Sequence, residues 1–138
     1  MQPYAKPLPL PDPDSSAFWE GLTAHELRVQ RCADCATYRW PSREICHRCQ
    51  STRSEMTRMS GYGRVVSWTA VHHATVSGFA DDLPYRIGLV QLVESEDVVV
   101  VGGIAVDEPE LRPGCPVQAS YDDVTPDVTL VRWIKSDS

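Results

Sequence analysis

Four of the five cysteines fall in two Cys-x-x-Cys pairs, Cys32-Ala33-Asp34-Cys35 and Cys46-His47-Arg48-Cys49, with ten residues between them. A pair at this spacing lets one tight turn present two sulfurs to one ion, and two such turns complete a tetrahedron. The pattern therefore predicts a small ribbon stapled by structural zinc through Cys32, Cys35, Cys46 and Cys49. Four sulfurs close the coordination shell, whereas a catalytic zinc keeps a position for water, so the ion is expected to hold structure and not to activate a nucleophile. An iron centre of the rubredoxin kind would use the same four sulfurs. A disulfide framework suits secreted chains, and a redox pair would open a helix after a strand and would not be duplicated. His47 lies inside the second knuckle and is expected to point outward. Cys115 is expected to be a small apolar residue at a strand start, since no His or acid is tied to it by sequence.

A chain of 138 residues can hold one ordinary core plus a small metal-stapled appendage. Its 42% hydrophobic and 23% charged residues are those of a soluble globular protein, with no run long enough to span a membrane. The first residues, Met1 to Pro7, lack a charged start followed by an apolar stretch, so no secretory signal is read and a reducing cytoplasm is the expected setting. The formal charge is −6, and four thiolates around one divalent ion would bring it to about −8. Such a balance repels a phosphate backbone, which makes nucleic acid an unfavoured partner.

Residues 1–14 hold five of the eleven prolines and read as an extended arm, because proline fixes φ and removes a donor. Residues 15–26 read as a short helix capped by Asp14, Ser15 or Ser16, with Phe18 and Leu22 one turn apart and Trp19 beside them. That stripe would pack either on this chain's own barrel or on another subunit. Residues 27–56 form the ribbon. From residue 57 to 138 the texture is that of strands: a long one in which Val66, Trp68, Ala70 and His72 share one face, then Arg86–Glu94, Val98–Val106, Cys115–Tyr121 and Val128–Ile134. Five short strands, with Gly102-Gly103 inside the third, predict a small closed barrel of the OB type, a sandwich being the alternative. The run Val98–Val101 is apolar enough to place that strand where both faces are covered.

The order and spacing of several short motifs resemble a known family, the zinc-ribbon and OB-fold proteins called domain of unknown function thirty-five, which accompany acyl-CoA enzymes. The carriers are Phe18-Trp19-Glu20-Gly21-Leu22, Leu27 to Cys32, Trp40-Pro41-Ser42-Arg43, Ser60 to Val65, Ser67-Trp68-Thr69, Pro84-Tyr85, and Leu111 to Val117. The knuckles depart from the family in having Ala36 and Gln50 where glycine usually follows each cysteine pair. Glycine there would relieve a positive-φ strain of ~1 kcal/mol. The resemblance implies a mainly β chain with an N-terminal helix, a rubredoxin-like zinc ribbon and a five-stranded OB-fold barrel. It also implies a noncatalytic subunit that assembles with a thiolase-like enzyme or lipid-transfer-protein-type aldolase, sometimes beside a hydratase, and helps bind CoA or acyl-CoA. A steroid side-chain retro-aldolase is the slightly favoured setting over archaeal acyl-CoA synthesis.

For the CoA phosphates, Arg39, Arg43 and Arg48 in the ribbon and Arg64 or Arg86 on the barrel are candidates, because guanidinium forks match phosphate oxygens. Candidates for partner contact are Phe18 and Trp19 in the helix and Phe79, Pro84 and Tyr85 around a loop, where aromatic area suits an interface. His72 and His73 face opposite ways in a strand, and no orienting partner for a general base is visible. Two other functions compete with the accessory subunit. One is a single-stranded nucleic-acid module in which Tyr62, Trp68 and Tyr85 stack bases; the other is an independent acyl-CoA enzyme.

Overall fold

The computed structural model describes residues 4–136. The cap of the leading helix comes from farther upstream than the residues expected. The Asp12 carboxylate accepts the Ser15 amide N–H at 2.8 Å and the Ser15 hydroxyl accepts the Asp12 N–H at 3.0 Å. Helix α1, Ser16–Thr23, ends before the expected Glu26 in a Schellman motif. The Glu26 N–H bonds the Gly21 carbonyl at 2.8 Å, the His25 N–H bonds that of Leu22 at 2.9 Å, and His25 takes φ 58. A left-handed residue with a side chain costs about 1–2 kcal/mol, and tertiary contacts offset that here. The His25 ring stacks on Tyr121 at 5.2 Å, and Nε2 lies 3.0 Å from Asp123 Oδ1. The helix end is thereby fastened to the barrel. Phe18 and Leu22 are buried, with Phe18 against Trp40 at 4.4 Å, so the apolar stripe is covered from within the chain.

The ribbon is a three-stranded antiparallel sheet of β1 (Arg28–Cys32), β2 (Tyr38–Arg39) and β3 (Ser54–Arg58), ordered β2-β1-β3. Strands β4 (Tyr62–Val71), β5 (Tyr85–Leu92), β6 (Val99–Ile104), β7 (Pro116–Asp123) and β8 (Thr129–Lys135) close into a barrel in the order β4-β5-β6-β8-β7. Only β6 and β8 pair in parallel. Helix, ribbon and barrel share one apolar core, from Phe18, Leu27 and Val29 to Val65, Val100, Val117 and Trp133.

Two strand expectations are corrected. The long strand does not alternate simply, because its register with β5 shifts between Val65 and Ser67. A bulge adds one residue and reverses the faces, so Val65 and Trp68 pack toward the core together while Val66 is 45% exposed. The valine run is likewise not covered on both sides: Val98 and Val100 are buried, but Val101 is 56% exposed. It pairs across the sheet with Leu89, itself partly exposed. The adjacent glycine closes the barrel rather than merely bending a strand. A Cβ on Gly102 would sit 2.9 Å from Trp133 Nε1 and 3.0 Å from the Val131 carbonyl, so β6 reaches β8 only without one.

Candidate functional site

The two knuckles are built alike. The Ala36 N–H bonds the Cys32 carbonyl at 3.0 Å and the Gln50 N–H bonds that of Cys46 at 2.9 Å. Ala36 and Gln50 adopt φ 65 and 64, the left-handed geometry that the missing glycines would have relieved. These turns bring the sulfurs of Cys32, Cys35, Cys46 and Cys49 within 4.8 Å of one another. Cys32 and Cys49 sulfurs are 3.5 Å apart and those of Cys35 and Cys46 3.6 Å. A tetrahedron with metal–sulfur bonds of ~2.3 Å has edges of about 3.8 Å, so the cluster nearly matches a zinc cage.

Backbone amides polarise these sulfurs. The Cys49 amide and then that of Arg48 pull the Cys46 thiol down to about 6, against the effect of burial. The Cys35 amide leads the lowering of Cys32. The Ser51 amide lowers Cys49 too, but the neighbouring Cys32 sulfur and burial outweigh it and push that thiol up to about 12. Sulfurs this close cannot all ionise together without a cation between them. The donor set therefore fits a soft divalent metal with a closed shell. A bracket stiffens the first knuckle: Asp34 accepts from Arg53 and from the Ser51 hydroxyl, and these contacts hold its carboxyl at about 2. His47 is exposed, and it is absent from the sulfur cluster.

The arginine candidates do not converge. Arg64 donates to the Gly114 carbonyl at 3.0 Å, and Arg86 pairs with Asp107 at 2.9 Å. Arg43 and Arg48 are exposed. Arg39 is not a surface residue at all: at 1% exposure it lies beneath the ribbon, its Nε donating to Gln30 Oε1 at 2.9 Å. Arg39 and Arg43 alone of the five share a pocket, of about 260 Å³.

A larger groove of about 690 Å³ follows the β6–β8 seam. A second hollow of about 320 Å³, next to α1 and Trp40, shares Val101, Gly102, Gly103, Leu130 and Arg132 with it. The described part of the N-terminal arm forms one wall. Lys6 pairs with Asp82 and lies over the Phe79 ring at 5.6 Å, and Phe79 stacks on Tyr85 at 5.5 Å. Each groove cation already has an acid, with Arg132 bonded to Asp122 at 2.7 Å, so the groove is apolar with neutralised charges. Of the contact candidates, Phe18 is enclosed in the core, whereas Pro84 is exposed and Trp19, Phe79 and Tyr85 are half-buried. His72 and His73 are exposed beyond the end of β4. Cys115 is buried at the entry to β7. Trp68, one of three aromatics considered for base stacking, packs against the core.

The sequence reading missed the His25–Asp123 fastening. Its one available signal was the residue two positions past a helix end, where a left-handed cap is common.

No helix among the described residues is long and apolar enough to cross a membrane. Residues 19–55 match the family description "ChsH2, rubredoxin-like zinc ribbon domain" and residues 56–122 match "ChsH2, C-terminal OB-fold domain". The 3-oxo-4,17-pregnadiene-20-carboxyl-CoA hydratase alpha subunit of Mycobacterium tuberculosis is 34% identical over 134 residues, 96% of this chain and 41% of that protein. This chain thus spans about two fifths of the length of the hydratase subunits it matches. A DUF35 domain-containing scaffold protein of Methanocaldococcus jannaschii is 34% identical over 99 residues, covering 70% of this chain and 68% of that one. Among solved structures, a chain of the Ltp2-ChsH2(DUF35) aldolase superposes with a TM-score of 0.83 at 28% identity, covering 92% of this chain and 98% of its own. With knuckles, ribbon and closed barrel in the order those matches require, the chain belongs to the zinc-ribbon and OB-fold family called DUF35.

Proposed function

We propose that this chain is a noncatalytic, zinc-holding subunit that assembles with a thiolase-like enzyme or lipid-transfer-protein-type aldolase and supplies part of a CoA or acyl-CoA site. The observation that carries the reading is the likeness to a chain of the Ltp2-ChsH2(DUF35) aldolase along nearly the whole of both. The closed set of Cys32, Cys35, Cys46 and Cys49 supports a structural role for the ion, since no coordination position is left for water. The apolar strip of Val66, Leu89 and Val101 on the outer barrel wall offers area for a companion enzyme, and Trp19, Phe79, Pro84 and Tyr85 extend the contact along the groove. A steroid side-chain retro-aldol reaction, with a hydratase as neighbour, is the setting that the name of the mycobacterial relative favours. The cytoplasm suits four reduced thiols.

Co-expression with a candidate aldolase, followed by affinity capture of this chain and metal analysis, tests the reading. The expected result is a stoichiometric complex with one zinc per copy of this chain, retro-aldol turnover by the complex, and no turnover by the chain alone. Cys46→Ala should lower both zinc content and yield of the complex, because bound metal contributes folding energy in so small a unit. Acyl-CoA turnover by the isolated chain, or full zinc content in Cys46→Ala, would overturn it.

A further inference from the structure

Among the described residues Arg39 is the one charged side chain that is fully buried, and its charge is uncompensated. Nε is held by Gln30, but Nη1 and Nη2 have no hydrogen-bond partner among the described residues, and neither does the buried Ser42 hydroxyl in the same segment. A guanidinium does not deprotonate in a protein, so it cannot escape burial by becoming neutral. Unpaired donors and an unpaired charge in such a place are strongly unfavourable unless an anion reaches them. The surroundings are arranged for that. Gln30 Oε1 accepts both the Arg39 Nε–H and, at 2.8 Å, the Arg43 backbone N–H, so one amide oxygen ties the buried guanidinium to the start of the exposed one. The pocket is lined by Arg39, Arg43 and His47, with the Tyr38 and Trp40 rings among its walls and Asp97 as its one acid.

We propose that this pocket recognises a phosphate dianion, clamped between Arg39 and Arg43. Two guanidinium groups balance a dianionic phosphomonoester, whereas one carboxylate would leave a net positive charge. The aromatic walls suit a nucleoside attached to that phosphate. Resting on the acyl-CoA reading above, the natural source is the 3′-phosphoadenosine end of CoA, and inorganic phosphate has the same chemistry without the nucleoside. The groove along β6 and β8 is less suited to this task, because Lys6, Arg86 and Arg132 there are already paired with acids.

The test uses the whole zinc-loaded chain at constant ionic strength, with thermal unfolding and calorimetric titration against inorganic phosphate, CoA and dephospho-CoA. Wild type is expected to bind phosphate saturably, and to bind CoA at least tenfold more tightly than dephospho-CoA, which lacks the 3′-phosphate. Arg39→Met should lose the phosphate-dependent rise in Tm while unfolding no earlier than wild type in phosphate-free buffer, since it removes an unpaired buried charge. Arg43→Gln, at an exposed position that does not endanger the fold, should weaken phosphate at least tenfold even if Arg39→Met fails to fold. Asp97→Asn should tighten phosphate by removing the one like charge in the lining. Binding equal to wild type in Arg43→Gln, or no saturable binding of phosphate by wild type, overturns the pocket. Arginine-dependent phosphate binding that CoA does not compete for upholds the pocket and removes support for the acyl-CoA reading.

Discussion

Placing glycine at the two left-handed knuckle positions is predicted to tighten zinc binding. Ala36 and Gln50 are held at φ 65 and 64 by the turns that aim each cysteine pair. An L-residue in that region costs about 1–2 kcal/mol. Glycine removes the strain, but the greater freedom it gives the unfolded chain returns about 0.4–1 kcal/mol. The net gain is about 0.7 kcal/mol per site, with no buried area lost because both residues are exposed. Folding of the ribbon and capture of the ion are one equilibrium, so each substitution should lower the zinc Kd about threefold, and Ala36→Gly with Gln50→Gly about tenfold if the knuckles act independently. Competition against a chromophoric chelator at fixed pH measures this. Cobalt substitution, read from its ligand-field absorption, checks that tetrahedral thiolate geometry persists. Gln50→Ala keeps the strain and serves as the control, with wild-type affinity expected. If the double glycine variant holds zinc no tighter than wild type, the strain argument is refuted.

Gly88→Ala should destabilise the barrel by about 1–3 kcal/mol, because the new methyl would run into the Ile104 side chain and sit 3.1 Å from the Ser67 carbonyl. Ile104→Val should recover part of that in the double variant, though Cγ1, 2.9 Å from the added methyl, remains; denaturant unfolding of all four proteins reads the coupling, and strict additivity would contradict it. The Asp123 carboxyl lies below its ordinary value, first through the Thr129 hydroxyl and then through His25. Its folded pKa being depressed, its contribution to stability is present above the ordinary aspartate value and is lost as pH falls through the folded one. Thr129→Val should raise the Asp123 pKa toward that of a free carboxylate, and by more than His25→Ala does, as NMR titration would show; the reverse order would contradict the assignment.

Local chemistry made much of this protein legible in its sequence. Two cysteine pairs at fixed spacing specify a metal knuckle whatever surrounds them, and the left-handed strain at Ala36 and Gln50 followed from the turn those pairs need. Alternation and turn residues separated five barrel strands, and Phe18 with Leu22 marked the apolar side of the helix. Tertiary structure decided the rest. The bulge beside Val66 exists only in pairing with β5, so no period along β4 alone could show that Val65 and Trp68 share a face. Val101 is apolar yet open, because burial depends on which layer lies opposite, not on the strand's own composition. Arg39 looks in sequence like its neighbours Arg43 and Arg48, but folding encloses it while they remain exposed. Residue type and spacing set what each short segment can form. Whether a side chain meets solvent, core or an opposite charge is a property of segments distant in sequence, and it is there that the candidate anion pocket arises.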